Sequence, residues 1–235
     1  MSEITDNVDR SSGFYSKSIL SFDFKLAEFN YITLKPFFKG HLALELGPAS
    51  GYMTKYLIND FKELHLVEGS SALLNKIPNY PNVRKINSLL ENFETEVKYE
   101  TIIMSHVLEH IDDPVFVLKK ICKWLKNDGI FLVSVPNAKS IHRLAAVEMG
   151  ILKSIYELNN RDLELGHYRV YDLDILEEHI TLSGFRVIES GGIFFKPLSN
   201  AQIETNWNDQ MIEGFYKLGK RFKEYCAEIY VVCSL

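Results

Sequence analysis

Between Glu45 and Gly51 the chain reads acid-x-Gly-x-Ala-x-Gly, an order that can cradle the polar parts of a nucleotide cofactor. Gly47 lets the backbone turn sharply and lets a ligand approach it with no Cβ in the way. A helix opening after Gly51 offers unpaired N–H groups to a small anion such as a carboxylate. A phosphate-cradling P-loop needs a Gly-Lys-Ser/Thr ending, and a dinucleotide fingerprint needs glycines at the first, third and sixth positions. Counted from Gly47, the third and sixth positions are Ala49 and Tyr52, so neither pattern fits. Glu68 closes the apolar run Leu64-His65-Leu66-Val67 roughly 20 residues beyond the turn, where a carboxylate can bind both hydroxyls of a ribose. A second set lies further on. On a helical turn His106, Glu109 and His110 stand at i, i+3 and i+4 and can share one face, with His167 available from later in the chain. Those residues can ligate a divalent metal, supply a general base, or merely pack a short helix.

The elements that must position these groups alternate. Strands are expected at about 42–46, 63–67, 82–86, 100–104 and 129–135, with helical stretches between them and stop signals such as Asn127-Asp128-Gly129. Such alternation predicts a parallel sheet wrapped by helices, with its ligand crevice at the carboxyl ends of the strands. Residues 14–38 are aromatic-rich and mostly helical in pattern. After Pro136 a less regular helical region at 138–163 precedes a helix at about 172–183, ended by Gly184. Two more strands, near 185–195 and 226–233, flank a helical segment around 207–222.

With 235 residues, of which 46% are hydrophobic, the chain can bury a sizeable core as one unit spanning 1–235. A formal charge of -5 with scattered basic residues argues against general nucleic-acid binding. Neither a leader pattern in Met1–Gly13 nor an apolar run of membrane length is found, so a soluble, cytoplasmic protein without membrane insertion is expected. Cys122, Cys226 and Cys233 have no metal-like spacing and read as reduced structural thiols.

The turn Glu45-x-Gly47-x-Ala49-x-Gly51 resembles motif I of the class I S-adenosylmethionine (SAM) methyltransferases, with Ala49 where the middle glycine usually stands. The block Thr101–Pro114, with its Leu108-Glu109-His110 and Asp113-Pro114, resembles the segment after the fourth strand in the same enzymes. The likeness runs to the last strand and is strongest at 42–51, 101–114 and 165–188, within the broad group that includes ubiquinone-pathway and glycan-precursor methyltransferases. It implies an α/β, Rossmann-like, seven-stranded and mostly parallel sheet with a reversed last strand and helices on both faces. It also implies an N-terminal helical cap over 1–38 and a substrate lid over 138–171. SAM would be held by Glu45, Gly47, Pro48, Ala49, Gly51, Tyr52 and Met53 around the turn, and by Glu68 at the ribose. Ser88 and Leu89 would serve the adenine, where the family often has an acid; backbone carbonyls at Ser105 and His106 would face the cationic end.

Catalysis would fall to His106, His110 and His167. The same face resembles the Glu-x-x-Glu-His metal segment of ubiquinone-pathway and small-RNA 2′-O-methyltransferases, with His106 in place of the first Glu. A divalent metal on His106, Glu109, His110 and His167 is therefore an alternative that is not favoured. Arg143, Tyr168 and Arg169 would meet the substrate, with His142 nearby, whereas Arg161 reads as a solvated helix charge. The expected activity is methyl transfer to a small-molecule or glycan-precursor acceptor, with oxygen favoured over nitrogen. The rival readings are a nucleotide-binding regulatory protein without catalysis and a metal-dependent hydrolase using the histidine cluster.

Overall fold

The computed structural model describes residues 21–235; the first twenty residues of the expected N-terminal cap lie outside them. Seven strands form one sheet: β1 (Leu42–Leu46), β2 (Glu63–Glu68), β3 (Val83–Asn87), β4 (Tyr99–Ser105), β5 (Leu125–Pro136), β6 (Arg186–Ile193) and β7 (Glu228–Ser234). Their spatial order is β3-β2-β1-β4-β5-β7-β6, parallel through β5, with β7 antiparallel to both of its neighbours. The reversed last strand is thus present, inserted between β5 and β6. Central strands are buried on both faces, which is why β1, β4 and the second half of β5 read as nearly continuous apolar runs.

Nine helices surround the sheet among the described residues: α1 (Ser21–Leu34), α2 (Thr54–Leu57), α3 (Ser71–Leu74), α4 (Pro114–Trp124), α5 (Ile141–Glu148), α6 (Asn160–Leu165), α7 (Leu173–Leu182), α8 (Asn200–Asn206) and α9 (Asp209–Gly219). In α4, Asp113 caps the N-terminus by accepting from the Phe116 N–H at 3.0 Å, and Pro114 occupies the first turn. Val117, Leu118, Ile121 and Trp124 then fall on one buried face. On α1 the buried side chains Phe22, Leu26 and Phe29 recur at helical spacing and pack into the core on one side of the sheet. The helical segment expected around 207–222 is α9, and α8 before it is a separate helix, because Ser199 and Asn208 each cap their own start. No helix among the described residues is long and apolar enough to cross a membrane.

Candidate functional site

A crevice of about 550 Å³ opens over the carboxyl ends of β1, β2 and β4 and continues past the start of β7. Its first wall is the turn after β1. Gly47 has φ +65 and donates its N–H to the Val67 carbonyl at 2.8 Å; a Cβ built there would lie 2.4 Å from Val107 Cγ2. The position therefore demands glycine for conformation and for space. Ala49 also sits in the left-handed region, at φ 49, where glycine is the residue without steric cost. Glu45 is buried and accepts from Thr54 Oγ1 at 2.7 Å, joining β1 to α2. Burial pushes its carboxyl up to about 7, against the Thr54 hydrogen bond and with help from the charge of Glu68.

Glu68, also buried, ends β2 with both oxygens engaged: Oε1 accepts from the Ser70 N–H at 2.8 Å and Oε2 from the Ala49 N–H at 3.1 Å. Burial raises its pKa, and those backbone bonds oppose the rise. Each oxygen retains acceptor capacity for a ligand hydroxyl. Pro48, Tyr52 and Met53 line the same wall, and Leu89 and Ser105 border the crevice as well. Gly51 lies behind the turn, donating to the Pro48 carbonyl at 2.8 Å. Ser88 is not part of the lining either; its hydroxyl donates to the Leu89 carbonyl at 2.9 Å.

The histidine set does not share one helical face. His106 precedes a single 3₁₀ turn, Leu108–His110, and takes φ 55, so it belongs to no regular helix shared with Glu109 and His110. Such a conformation in a non-glycine residue is held by its surroundings. Its N–H donates to the Ser134 carbonyl at 2.9 Å; Nε2 lies 3.0 Å from Glu228 Oε1 and Nδ1 3.6 Å from Glu109 Oε1. Burial works to lower its pKa, but the charges of Glu228 and Glu109 outweigh it and raise the imidazole to about 9. Glu228 is the first residue of β7, and its other oxygen accepts from Asn30 Nδ2 at 2.9 Å. Asn30 also donates to Ser134 Oγ at 2.8 Å.

Glu109, His110 and His167 each bring one ligand atom within 4.8 Å of the others. Glu109 is 1% exposed and neither of its oxygens has a hydrogen-bond partner. Burial raises its pKa, against the attraction of His106 and His167. Burial together with the neighbouring His167 and His106 pushes His110 down to about 3, so its ring is neutral. His167 Nδ1 lies 3.3 Å from Asp162 Oδ1. An orphaned carboxylate beside a neutral imidazole is a donor set that a divalent cation fits. Of the four expected ligands His106 stands outside this group.

The arginines are spent differently from expectation. Arg143 lines the crevice, yet its guanidinium bonds the Ile155 carbonyl at 2.6 Å, the Glu157 carbonyl, and Asp162 Oδ2 at 3.2 Å. Arg169 lies off the crevice, donating to the carbonyls of Ile111 and Asp112. Tyr168 does line it, with its N–H on the Glu109 carbonyl at 2.9 Å. Arg161, read as a solvated helix charge, is exposed on α6 and also borders the crevice, with Nη2 3.3 Å from both oxygens of Asp23 on α1. Asn200 at the start of α8 donates to the same carboxylate at 2.6 Å. Sequence reasoning missed Asn30, Asp23, Glu228 and Asn200. The one local signal was the lone acid Glu228 opening the apolar run of the final strand.

A family model described as a methyltransferase domain matches residues 25–190. The chain is 25% identical over 139 residues to (S)-coclaurine N-methyltransferase of Papaver somniferum, covering 54% of this chain and only 39% of that protein. Among solved structures, a SAM-dependent methyltransferase of Thermotoga maritima, described as a possible histamine N-methyltransferase, superposes with TM-score 0.67 at 15% identity over 97% of this chain and 99% of its own. A Haemonchus contortus phosphoethanolamine N-methyltransferase, solved with phosphomonomethylethanolamine and S-adenosylhomocysteine, gives TM-score 0.65 at 16% identity, covering all of this chain and 61% of the other. The family match takes in well over half of the sequence and includes the turn after β1, Glu68 and the histidine segment: the chain belongs to the methyltransferase-domain family and has the fold of solved SAM-dependent methyltransferases.

Proposed function

We propose that the protein methylates a hydroxyl of a small-molecule or glycan-precursor acceptor, with His106 as the base and Glu228 orienting it. The observation that carries this reading is the 3.0 Å contact between His106 Nε2 and Glu228, inside the crevice that also holds the Gly47 turn and Glu68. Bound SAM supplies an electrophilic methyl group on a sulfonium. The residues fit it: the backbone at Gly47 and Ala49 bends at the crevice, Glu68 would offer acceptors to a ribose, and Leu89 would border the adenine. Ser105 and His106 bring the end of β4 toward the cationic group. His106, raised to about 9 in the free protein, meets added positive charge once the cofactor is in place. That charge would lower its pKa and favour the neutral ring, the form in which His106 would take a hydroxyl proton. Residues 138–171 act as the lid, and its Arg161 reaches Asp23 on the helix that forms the described part of the N-terminal cap. Closing this roof excludes water and positions the acceptor, the contributions that matter most in an in-line displacement.

The test is an acceptor screen of phenols, sugar derivatives and amines, following S-adenosylhomocysteine release and locating the new methyl group by NMR. O-methylated product is expected; a product methylated only on nitrogen overturns the choice of atom. Removing the Glu68 carboxylate is expected to weaken cofactor binding. Two charge-assisted hydrogen bonds at about 1.5 kcal/mol each correspond to roughly 100-fold. Calorimetry with S-adenosylhomocysteine on Glu68→Ala measures this, with Glu68→Gln as the milder variant; an unchanged Kd in a folded Glu68→Ala protein removes the anchor. For the Glu109, His110 and His167 group, turnover is expected to survive EDTA. Loss of activity that Mg²⁺, Mn²⁺ or Zn²⁺ restores, and that His110→Ala cannot recover, would instead make those residues a metal centre.

A further inference from the structure

On the Glu228 side of the crevice stands a cation that makes no ion pair among the described residues. Lys196 follows β6 and lines the cavity, and its ammonium donates to Asn200 Oδ1 at 2.9 Å. An ammonium has three donors, and among the described residues Lys196 makes no ion pair. The acids near it are engaged: Glu228 by His106 and Asn30, Asp23 by Arg161 and Asn200. His142, beside the Lys196 backbone, brings no compensating charge, because burial together with Lys196 and Arg143 pushes its ring down to about 3. Burial and the neighbouring Arg161 likewise pull Lys196 down to about 8, although Glu228 and Asp23 oppose them. Lys196 is half-buried in the cavity with one hydrogen bond among the described residues, so it has both the charge and the donors to take an anionic ligand.

We propose that Lys196, with Arg161 at its side, forms an anion subsite, and that the acceptor carries a carboxylate or phosphate that docks there while its nucleophile meets His106. This names the substrate class of the site described above and rests on that reading. The ammonium supplies charge and two donors that no described residue engages; the Arg161 guanidinium borders the same space and stays tied to Asp23. Lys196 would then fix which end of the acceptor faces the transferable methyl group.

The experiment uses the full chain saturated with S-adenosylhomocysteine and titrates it calorimetrically with inorganic phosphate, acetate and, as the neutral counterpart, acetamide. Saturable binding of phosphate or acetate is expected, at least tenfold weaker in Lys196→Gln and retained in Lys196→Arg. Acetamide is expected not to bind. The better-bound anion identifies the acceptor group as phosphate or carboxylate. S-adenosylhomocysteine affinity, measured in each variant, reports that the fold and cofactor half are intact. If S-adenosylhomocysteine binds wild type and neither anion does, or if Lys196→Gln binds the anion as wild type does, the subsite is wrong and the transferase reading stands. If wild type fails to bind S-adenosylhomocysteine, both fall together.

Discussion

His106→Ala is expected to lower kcat by about 10²–10⁴-fold while cofactor affinity stays within a few-fold of wild type. The side chain contacts Glu228 and Glu109, and its backbone N–H, which bonds Ser134, survives the substitution. The pH profile separates a base from a merely packed ring. An imidazolium cannot accept a proton, so turnover should rise with pH as His106 loses its proton, along an acidic limb centred below the free-protein value of about 9 once the cofactor's charge is present. Glu228→Gln removes the negative charge that raises His106, so the limb should move to lower pH. The maximal rate should fall too, because the ring loses its oriented partner. A limb that stays in place or moves upward in Glu228→Gln would mean that another group titrates. Full activity of His106→Ala on a true acceptor would leave packing as the only role of this ring.

Gly47→Val is expected to be the most damaging single change in the cofactor half. A β-branched residue at φ +65 is a genuine backbone outlier, and its Cβ would arrive 2.4 Å from Val107 Cγ2 in the core. Backbone strain of about 1–3 kcal/mol and overpacking of about 1–3 kcal/mol act together. For a domain of this size each kcal/mol lowers Tm by about 2–4 °C, so a fall on the order of 10 °C is anticipated, with cofactor binding lost. The double variant Gly47→Val/Val107→Ala relieves the clash and leaves the dihedral strain, so it should recover part of the loss. Thermal melting and calorimetry decide, and a single variant that matches wild type in both refutes the role of the turn.

The sequence suggested only that a side chain at 47 would block a ligand; the structure adds a protein neighbour that it would strike, Val107, itself part of the crevice lining. That difference marks the boundary of what was legible. The strands were readable because each is a short apolar run between turn signals, and one wall of the crevice because Glu45 to Met53 is one continuous segment with Glu68 at the next strand end. The helix boundary at Asn206–Asn208 was carried by its capping residues rather than by the apolar pattern. The acceptor half was not readable. Asn30 reaches Glu228 across 198 positions and Ser134 across 104, and Asp23 reaches Asn200 across 177. Periodicity reports which face of an element is buried, not which distant side chain it meets. The spacing of His106, Glu109 and His110 misled for a related reason. It assumes a regular helix, and the left-handed residue at the end of β4 turns His106 toward β7.

Strand β7 fills the slot between β5 and β6 and brings Glu228 to the crevice, and this fixes a timetable for folding. Until those residues join, the outer edge of β5 and the whole of β6 lack the strand that each of them pairs with in the finished sheet. Such pairings close long loops and form slowly, and unpaired edges recruit other chains in the meantime. The Gly47 turn and Glu68 lie in β1, β2 and their connections, which need no contribution from β7 to pair with each other. A nascent chain can therefore assemble its cofactor cradle early, whereas the partner of His106 arrives with the final strand. If His106 is the base proposed above, its competence to take a proton comes with the event that pairs β5 and β6 through β7.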